Sequence, residues 1–165
     1  MRLSLTLLAV ALALAGCGGS SHDVATTSAP SGPATAVGAG AKTLYRGSDG
    51  WAVVQQGSNA VALHLGGGAW QPDRSGAVRV RILGPQRSAT TQPQVAAEIS
   101  APADLAETAL WVDGEELLEK GGGTTRKGTI YGTTSAPLDP GLHIAVAYGR
   151  TATSATAVAW TFRVV

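Results

Sequence analysis

From residue 44 to the C-terminus, apolar residues recur at every second position, and glycine- and proline-rich turns break the runs. Val78, Val80 and Ile82 alternate with Arg79 and Arg81. Val95, Ala97 and Ile99 alternate with Gln94, Ala96 and Glu98. Ile144, Val146 and Tyr148 alternate with His143, Ala145 and Ala147, and Val158, Trp160, Phe162 and Val164 with Ala159, Thr161, Arg163 and Val165. Successive side chains of a strand point to opposite faces, so each run is expected to present one buried and one open face. Gly84-Pro85, Gly121-Gly122-Gly123, Asp139-Pro140-Gly141 and Gly149 punctuate the runs. Asp113-Gly114, between Leu110-Trp111-Val112 and Glu115-Glu116-Leu117-Leu118, has the chemistry of a two-residue hairpin turn. The one stretch competing for helix, Ala103 to Leu110, is short and enters a strand-like run, so it reads as a loop or single turn.

Strands are therefore expected near 77–83, 94–100, 109–113, 115–119, 129–132, 141–149 and 156–165. Seven short strands with turn chemistry between them suit an antiparallel, all-β sandwich of the immunoglobulin type. Residues 44–76 form a smaller unit. Trp51 to Gln55, Ala60 to Leu65 and Ala69 to Gln71 are separated by Gly57-Ser58-Asn59 and Gly66-Gly67-Gly68, which predicts a β-meander. Three short strands are marginal alone, so the meander is expected to pack on the sandwich (77–165) within one β-domain spanning 44–165.

The N-terminus carries a different signal. Arg2 precedes an apolar run, Leu3 to Leu14, that is too short for a stable membrane-spanning helix. Leu14-Ala15-Gly16-Cys17 follows, and Cys17 is the only cysteine. This order of charge, short apolar stretch and small residues is that of a secretory signal. Its ending resembles the lipobox of bacterial lipoproteins. The resemblance implies removal of residues 1–16 as a signal peptide, diacylation of Cys17 (palmitate among its acyl chains) and acylation of the new amino group. It places the chain at the cell membrane, lipid-anchored on the extracytoplasmic side. Residues 17–43 then read as the lipidated cysteine and a disordered tether. Gly18 to Lys42 is almost wholly Gly, Ser, Ala, Thr and Pro, which buries too little to offset chain entropy. Such a linker reaches roughly 30 Å.

Charge and cysteine count exclude several function classes. Without Arg2 the twelve basic residues become eleven, equal to the eleven acidic ones. A neutral chain is a poor partner for nucleic acid and lacks a polybasic membrane patch. With Cys17 lipidated, no thiol remains for a disulfide, a cysteine metal site or thiol catalysis. The core alone must hold the fold.

The C-terminal part resembles the bacterial immunoglobulin-like domains of envelope proteins. The matching residues are Leu110-Trp111-Val112-Asp113-Gly114, Leu138-Asp139-Pro140-Gly141-Leu142-His143 and Trp160-Thr161-Phe162-Arg163-Val164. Those domains show a Val-Asp-Gly hairpin, a Leu-x-x-Gly-x-His turn before the penultimate strand and a final strand of Trp-x-Phe-x-Val type. The resemblance covers about 77–165 and implies the fold; that fold serves adhesion, assembly, binding and spacing alike.

Catalytic constellations do not emerge. His64 and His143 are the only histidines of the folded region, and neither has the spacing of a metal-ligand set, so no metal or cofactor is expected. His143 reads as a strand-start residue and His64 as an outward one. Asp113, Glu115, Glu116 and Glu119 cluster, but Asp113 belongs to its turn, and adjacent Glu115 and Glu116 point to opposite faces. They cannot flank a cleft as a glycosidase pair does. No Gly-x-Ser-x-Gly elbow, Ser-x-x-Lys or phosphate loop occurs; the two triple-glycine runs read as flexible turns. The tryptophans and two arginines remain. Trp160 falls in an apolar set and is expected in the core. Trp111 is expected to point outward if Leu110 and Val112 point in. Trp51 and Trp70 lie in the meander, either as contact surface or as the residues that seal it onto the sandwich over Trp111. Arg79 and Arg81 share one strand face, about 7 Å apart. The candidate contact residues are thus Trp51, Trp70, Trp111, Arg79 and Arg81. The expected function is non-catalytic: binding or positioning another envelope component, chiefly a protein. The alternative is a glycan-binding module that stacks sugars on exposed tryptophans.

Overall fold

The computed structural model describes residues 32–165. The expected signal peptide, Cys17 and the tether up to residue 31 lie outside the described residues. In chain order the elements are α1 (Pro33–Val37), β1 (Lys42–Arg46), β2 (Trp51–Gln56), β3 (Asn59–Gly66), β4 (Ala69–Pro72), β5 (Arg79–Gly84), β6 (Ser88–Ala89), β7 (Val95–Ser100), β8 (Glu107–Val112), β9 (Glu115–Glu116), β10 (Lys120–Thr124), β11 (Lys127–Gly132), β12 (Gly141–Arg150) and β13 (Ala155–Val164).

The strands form three sheets. Sheet A is the meander β1-β2-β3-β4, sheet B has the order β10-β11-β7-β5, and sheet C has the order β6-β13-β12-β8-β9. Pairing is antiparallel except for the short contact of β6 with β13. Two of the tight hairpins follow directly from turn chemistry. Gly66 pairs with Ala69 across Gly67 and Gly68, and Val112 with Glu115 across Asp113 and Gly114. All four turn residues have positive φ, as a two-residue turn matching strand twist requires.

Sheets B and C face one another as an immunoglobulin-like sandwich. Val95, Ala97, Ile99 and Ile130 meet Leu110, Val112, Ala145, Ala147, Trp160 and Phe162 in its core. Trp160 is buried there, and its Nε1 donates to the Pro85 carbonyl at 2.8 Å. At Gly149 of β12 the sheets approach closely: a Cβ there would sit 2.5 Å from Ile99 Cγ2.

Sheet A covers the opposite face of sheet C. Trp51, Val53 and Ala62 pack on Ala109, Trp111, Val146, Tyr148 and Ala155. Sheet C is therefore a central layer, and the expected alternation of one buried and one open face does not hold for β12. Ala145 to Gly149 are all buried. The outward placement of Trp111 is corrected for the same reason: it does point away from Leu110 and Val112, but into the second core, where it is 1% exposed.

Two further expectations change. Residues 32–43 are not bare tether: Ala34, Val37 and Ala41 pack on Ala52, Val54, Leu63 and Trp70 at the outer face of sheet A, and β1 begins at Lys42. The meander thus has four strands rather than three. Gly121–Gly123 do not turn; they lie within β10, paired with Ile130, Thr129 and Gly128. The expected strand over 115–119 shortens to β9. The stacking order is α1, sheet A, sheet C, sheet B.

Candidate binding site

Three of the candidate contact residues are interior. Trp51 (4%), Trp70 (9%) and Trp111 (1%) are buried, so none offers a stacking platform. They hold the layers together instead: Trp51 lies 4.6 Å, centroid to centroid, from the exposed His64 ring, and Trp111 6.4 Å from Tyr148. Trp70 is roofed by α1 on one side and by the Arg46 guanidinium, 5.4 Å from its ring, on another. Arg79 and Arg81 are exposed on the outer face of sheet B.

Between sheets B and C, on the side where both end in incomplete edges, runs an open groove of about 540 Å³. One bank is β10, the outermost strand of sheet B. Its residues Gly121, Gly122 and Gly123 have no side chains to shield the backbone, and the whole strand is exposed. The other bank is the start of β8. Its partner β9 covers Trp111 and Val112, and just beyond it Leu117 N–H donates to the Leu110 carbonyl at 2.8 Å, so Glu107 to Ala109 lie past the end of this pairing. Ile130 lies at the floor. Unpaired N–H and C=O groups on both banks are a template for an added strand.

Glu119 sits in this groove. Its Oε2 accepts from the Thr108 hydroxyl at 3.0 Å, while Oε1 is shielded from solvent and has no hydrogen-bond partner among the described residues. Burial pushes its carboxyl above the usual range, opposed by the Thr108 hydrogen bond, with Glu116 and Glu107 adding to the rise. A donor group of a bound segment would satisfy Oε1. The sequence marked Glu119 only as part of an acidic cluster, because burial and the Thr108 contact depend on chain segments folding together.

Next to the groove, Glu107 belongs to a different arrangement. Arg150 Nε donates to Glu107 Oε2 at 2.8 Å, and Arg150 Nη2 meets Asp49 Oδ2 at 2.6 Å. The Tyr45 hydroxyl donates to the same Glu107 oxygen at 2.8 Å. Burial, then this bond to Glu107, pushes the Tyr45 phenol up to about 12, so it remains a donor through the neutral range. The network ties sheet A to sheet C.

His143 is more than a strand-start residue. It is 8% exposed, and its Nδ1 lies 2.7 Å from Asp113 Oδ2 and its Nε2 2.7 Å from the Asp139 carbonyl. Asp113 Oδ1 also accepts from the Ile144 backbone at 2.9 Å. Both ring nitrogens face acceptors, and only the imidazolium donates from both. The Asp113 hydrogen bond, opposed by burial and aided by the Asp139 carbonyl, raises the pKa above the ordinary histidine value. A folded-state pKa above the unfolded one stabilises fully below the unfolded value, near 6.5, and the gain is lost as pH rises through the folded value. The melting temperature of the wild type is expected to fall between pH 6 and pH 9 by more than that of His143→Asn. Parallel melting curves for the two proteins would refute the imidazolium bridge.

Among the described residues there is no group of three or more His, Cys, Asp or Glu side chains placed to hold a metal ion, and no helix long and apolar enough to cross a membrane.

No protein-family model matches the chain, and no curated protein is detectably similar to it. Solved structures similar to it include immunoglobulin domains. The titin M4 domain is 16% identical, with 54% of this chain and 96% of that one covered and a TM-score of 0.36. The complex of Dpr2 Ig1-Ig2 with DIP-Theta Ig1-Ig3 is 11% identical, with 70% of this chain and 40% of that one covered and a TM-score of 0.42. These likenesses concern the fold alone.

Proposed function

We propose that the chain is a lipid-anchored, non-catalytic immunoglobulin-like domain on the extracytoplasmic side of a membrane, where it binds or positions another envelope component, a protein. Cys17 carries the lipid. The groove between β8 and β10 receives an extended segment of the partner. The observation that supports this most is the pair of free strand edges facing one groove, one of them built from three glycines. Main-chain pairing along such an edge gives affinity, and the flanking groove gives selectivity. The unpaired Glu119 oxygen favours a segment with a donor at that position. The tryptophan-stacking alternative loses its basis, since a sugar cannot stack on an indole that is inside the protein.

Photo-cross-linking in intact cells tests the groove. A photo-activatable residue replaces the exposed Ala106, which lines the groove, or replaces the exposed Leu142 of β12. One dominant protein adduct from position 106, absent from position 142, is the expected result. No adduct from 106, or equal adducts from both positions, would overturn the reading.

A further inference from the structure

The outer face of sheet B concentrates positive charge on a protein whose charges otherwise balance. Strand register sets which side chains share it. Arg79 lies opposite Ser100 and Ser100 opposite Lys127; Arg81 lies opposite Glu98 and Glu98 opposite Thr129; Lys120 lies opposite Tyr131 at the β10 edge. Four cations thus share the face with one carboxylate. Glu98 takes both neighbours at once, Arg81 Nε at 3.2 Å on one oxygen and Lys127 Nζ at 3.3 Å on the other. It sets these two side chains in place while leaving them 67% and 61% exposed. Arg79 and Arg81 stand about 7 Å apart along β5, and Arg79 and Lys127 about 10 Å apart across two strand spacings.

Layer order decides where this face looks. The described chain begins at Gly32, beside α1, on the outer side of sheet A. Sheet B is the farthest layer from that end, with sheet C between, roughly 20 Å from sheet A by two sheet spacings. The basic face is therefore directed away from the end at which the N-terminal segment enters.

We infer that the outer face of sheet B, through Arg79, Arg81, Lys127 and Lys120, docks a polyanionic glycan of the cell envelope. Charge complementarity supports an anionic partner. The face has cations and hydroxyls in rows, with Leu83 and the half-buried Tyr131 its only sizeable apolar groups. A stable protein interface needs a desolvated aromatic or aliphatic anchor at its centre; here the middle row is Arg81, Glu98 and Thr129, and Tyr131 lies in the end row beside Lys120. A linear polymer with regularly spaced carboxylates or phosphates needs only spaced cations. The inference uses the proposed envelope location for where the polymer is met, and otherwise stands apart from the β8–β10 groove.

The test uses the full lipidated chain in uncharged detergent micelles, with polygalacturonate as the probe and uncharged dextran as control. Polygalacturonate is expected to bind and dextran not, with binding weakened roughly tenfold or more between about 50 and 200 mM salt. The double variant Arg79→Gln and Lys127→Gln keeps the Arg81–Glu98 pair. It is expected to melt as the wild type does and to bind roughly tenfold more weakly. A second variant, Arg163→Gln, removes an exposed cation from sheet C and is expected to leave binding unchanged. Equal binding by the double variant, equal loss in Arg163→Gln, or no binding at low salt would overturn the assignment. So would displacement of polygalacturonate by phosphatidylglycerol added to the micelles at equal charge, which would mark the face as a lipid-headgroup reader. Photo-adducts at position 106, in the groove and off sheet B, do not depend on any of these outcomes, so this inference and the groove reading fail separately.

Discussion

Trp111→Ala is expected to lower the unfolding free energy by roughly 3–5 kcal/mol, the cost of emptying a large aromatic site in a core. The indole fills the space between sheets A and C, against Trp51, Val146 and Tyr148. Its neighbours are strands of two sheets held by their own ladders, so they can collapse only partly into the void, and the cavity contribution stays. No disulfide supplements the core. In urea the transition midpoint should fall with little change in slope. Arg79→Gln, on the open face of sheet B, should stay within about 0.5 kcal/mol of wild type. A loss below about 1 kcal/mol for Trp111→Ala would mean that sheet A does not seal this face.

The second large effect is expected at Arg150. Arg150→Met keeps the length of the stem but removes the donors to Glu107 and Asp49. The Glu107 carboxylate, only partly exposed, is then left with the Tyr45 hydroxyl alone. Losing charge-assisted hydrogen bonds and stranding a partly buried carboxylate should cost about 2–3 kcal/mol, chiefly through Glu107, because the Asp49 side is more open to water. A double-mutant cycle with Glu107→Gln separates this from lost packing. The two changes should be less than additive by about 1 kcal/mol or more, since one pair is broken twice. Strict additivity would remove the network from the account of how the meander is held.

Much of this architecture is legible in the residues. The strands around Val80, Ala97, Val146 and Trp160 lie where their period of two puts them, because alternation follows from strand geometry whatever the neighbours are. The Asp113-Gly114 hairpin appears where its turn chemistry predicts one, and the Gly66–Gly68 run turns as expected, with positive φ at Asp113, Gly114, Gly67 and Gly68. Trp160 is in the core as expected. Other elements leave no comparable trace. The three middle residues of β10 are glycine, so it has no side-chain period, and only pairing with β11 makes it a strand. In β12 the face toward sheet B is built from Ala145 and Ala147, small enough to read as an open face in a list of letters. The close approach of sheet B at Ile99 is what buries them. Pro33 to Val37 has a linker's composition, yet its few apolar side chains find the outer face of sheet A.

The candidate sites divide the same way. The exposed pair Arg79 and Arg81 was readable from one strand, since both face and spacing are local. Lys127 and Lys120 join them only through register across β7 and β11. His143, Asp113 and the Asp139 carbonyl come together because a hairpin tip folds back on β12, although the letters place His143 and Asp113 thirty residues apart. What the sequence determined by itself is what depends on near neighbours: strand period, the tight turns and the absence of a disulfide framework. Which faces of those strands meet water was decided by tertiary structure alone. A side chain is buried by whatever packs over it, and here a third sheet closes over a face that local alternation leaves open.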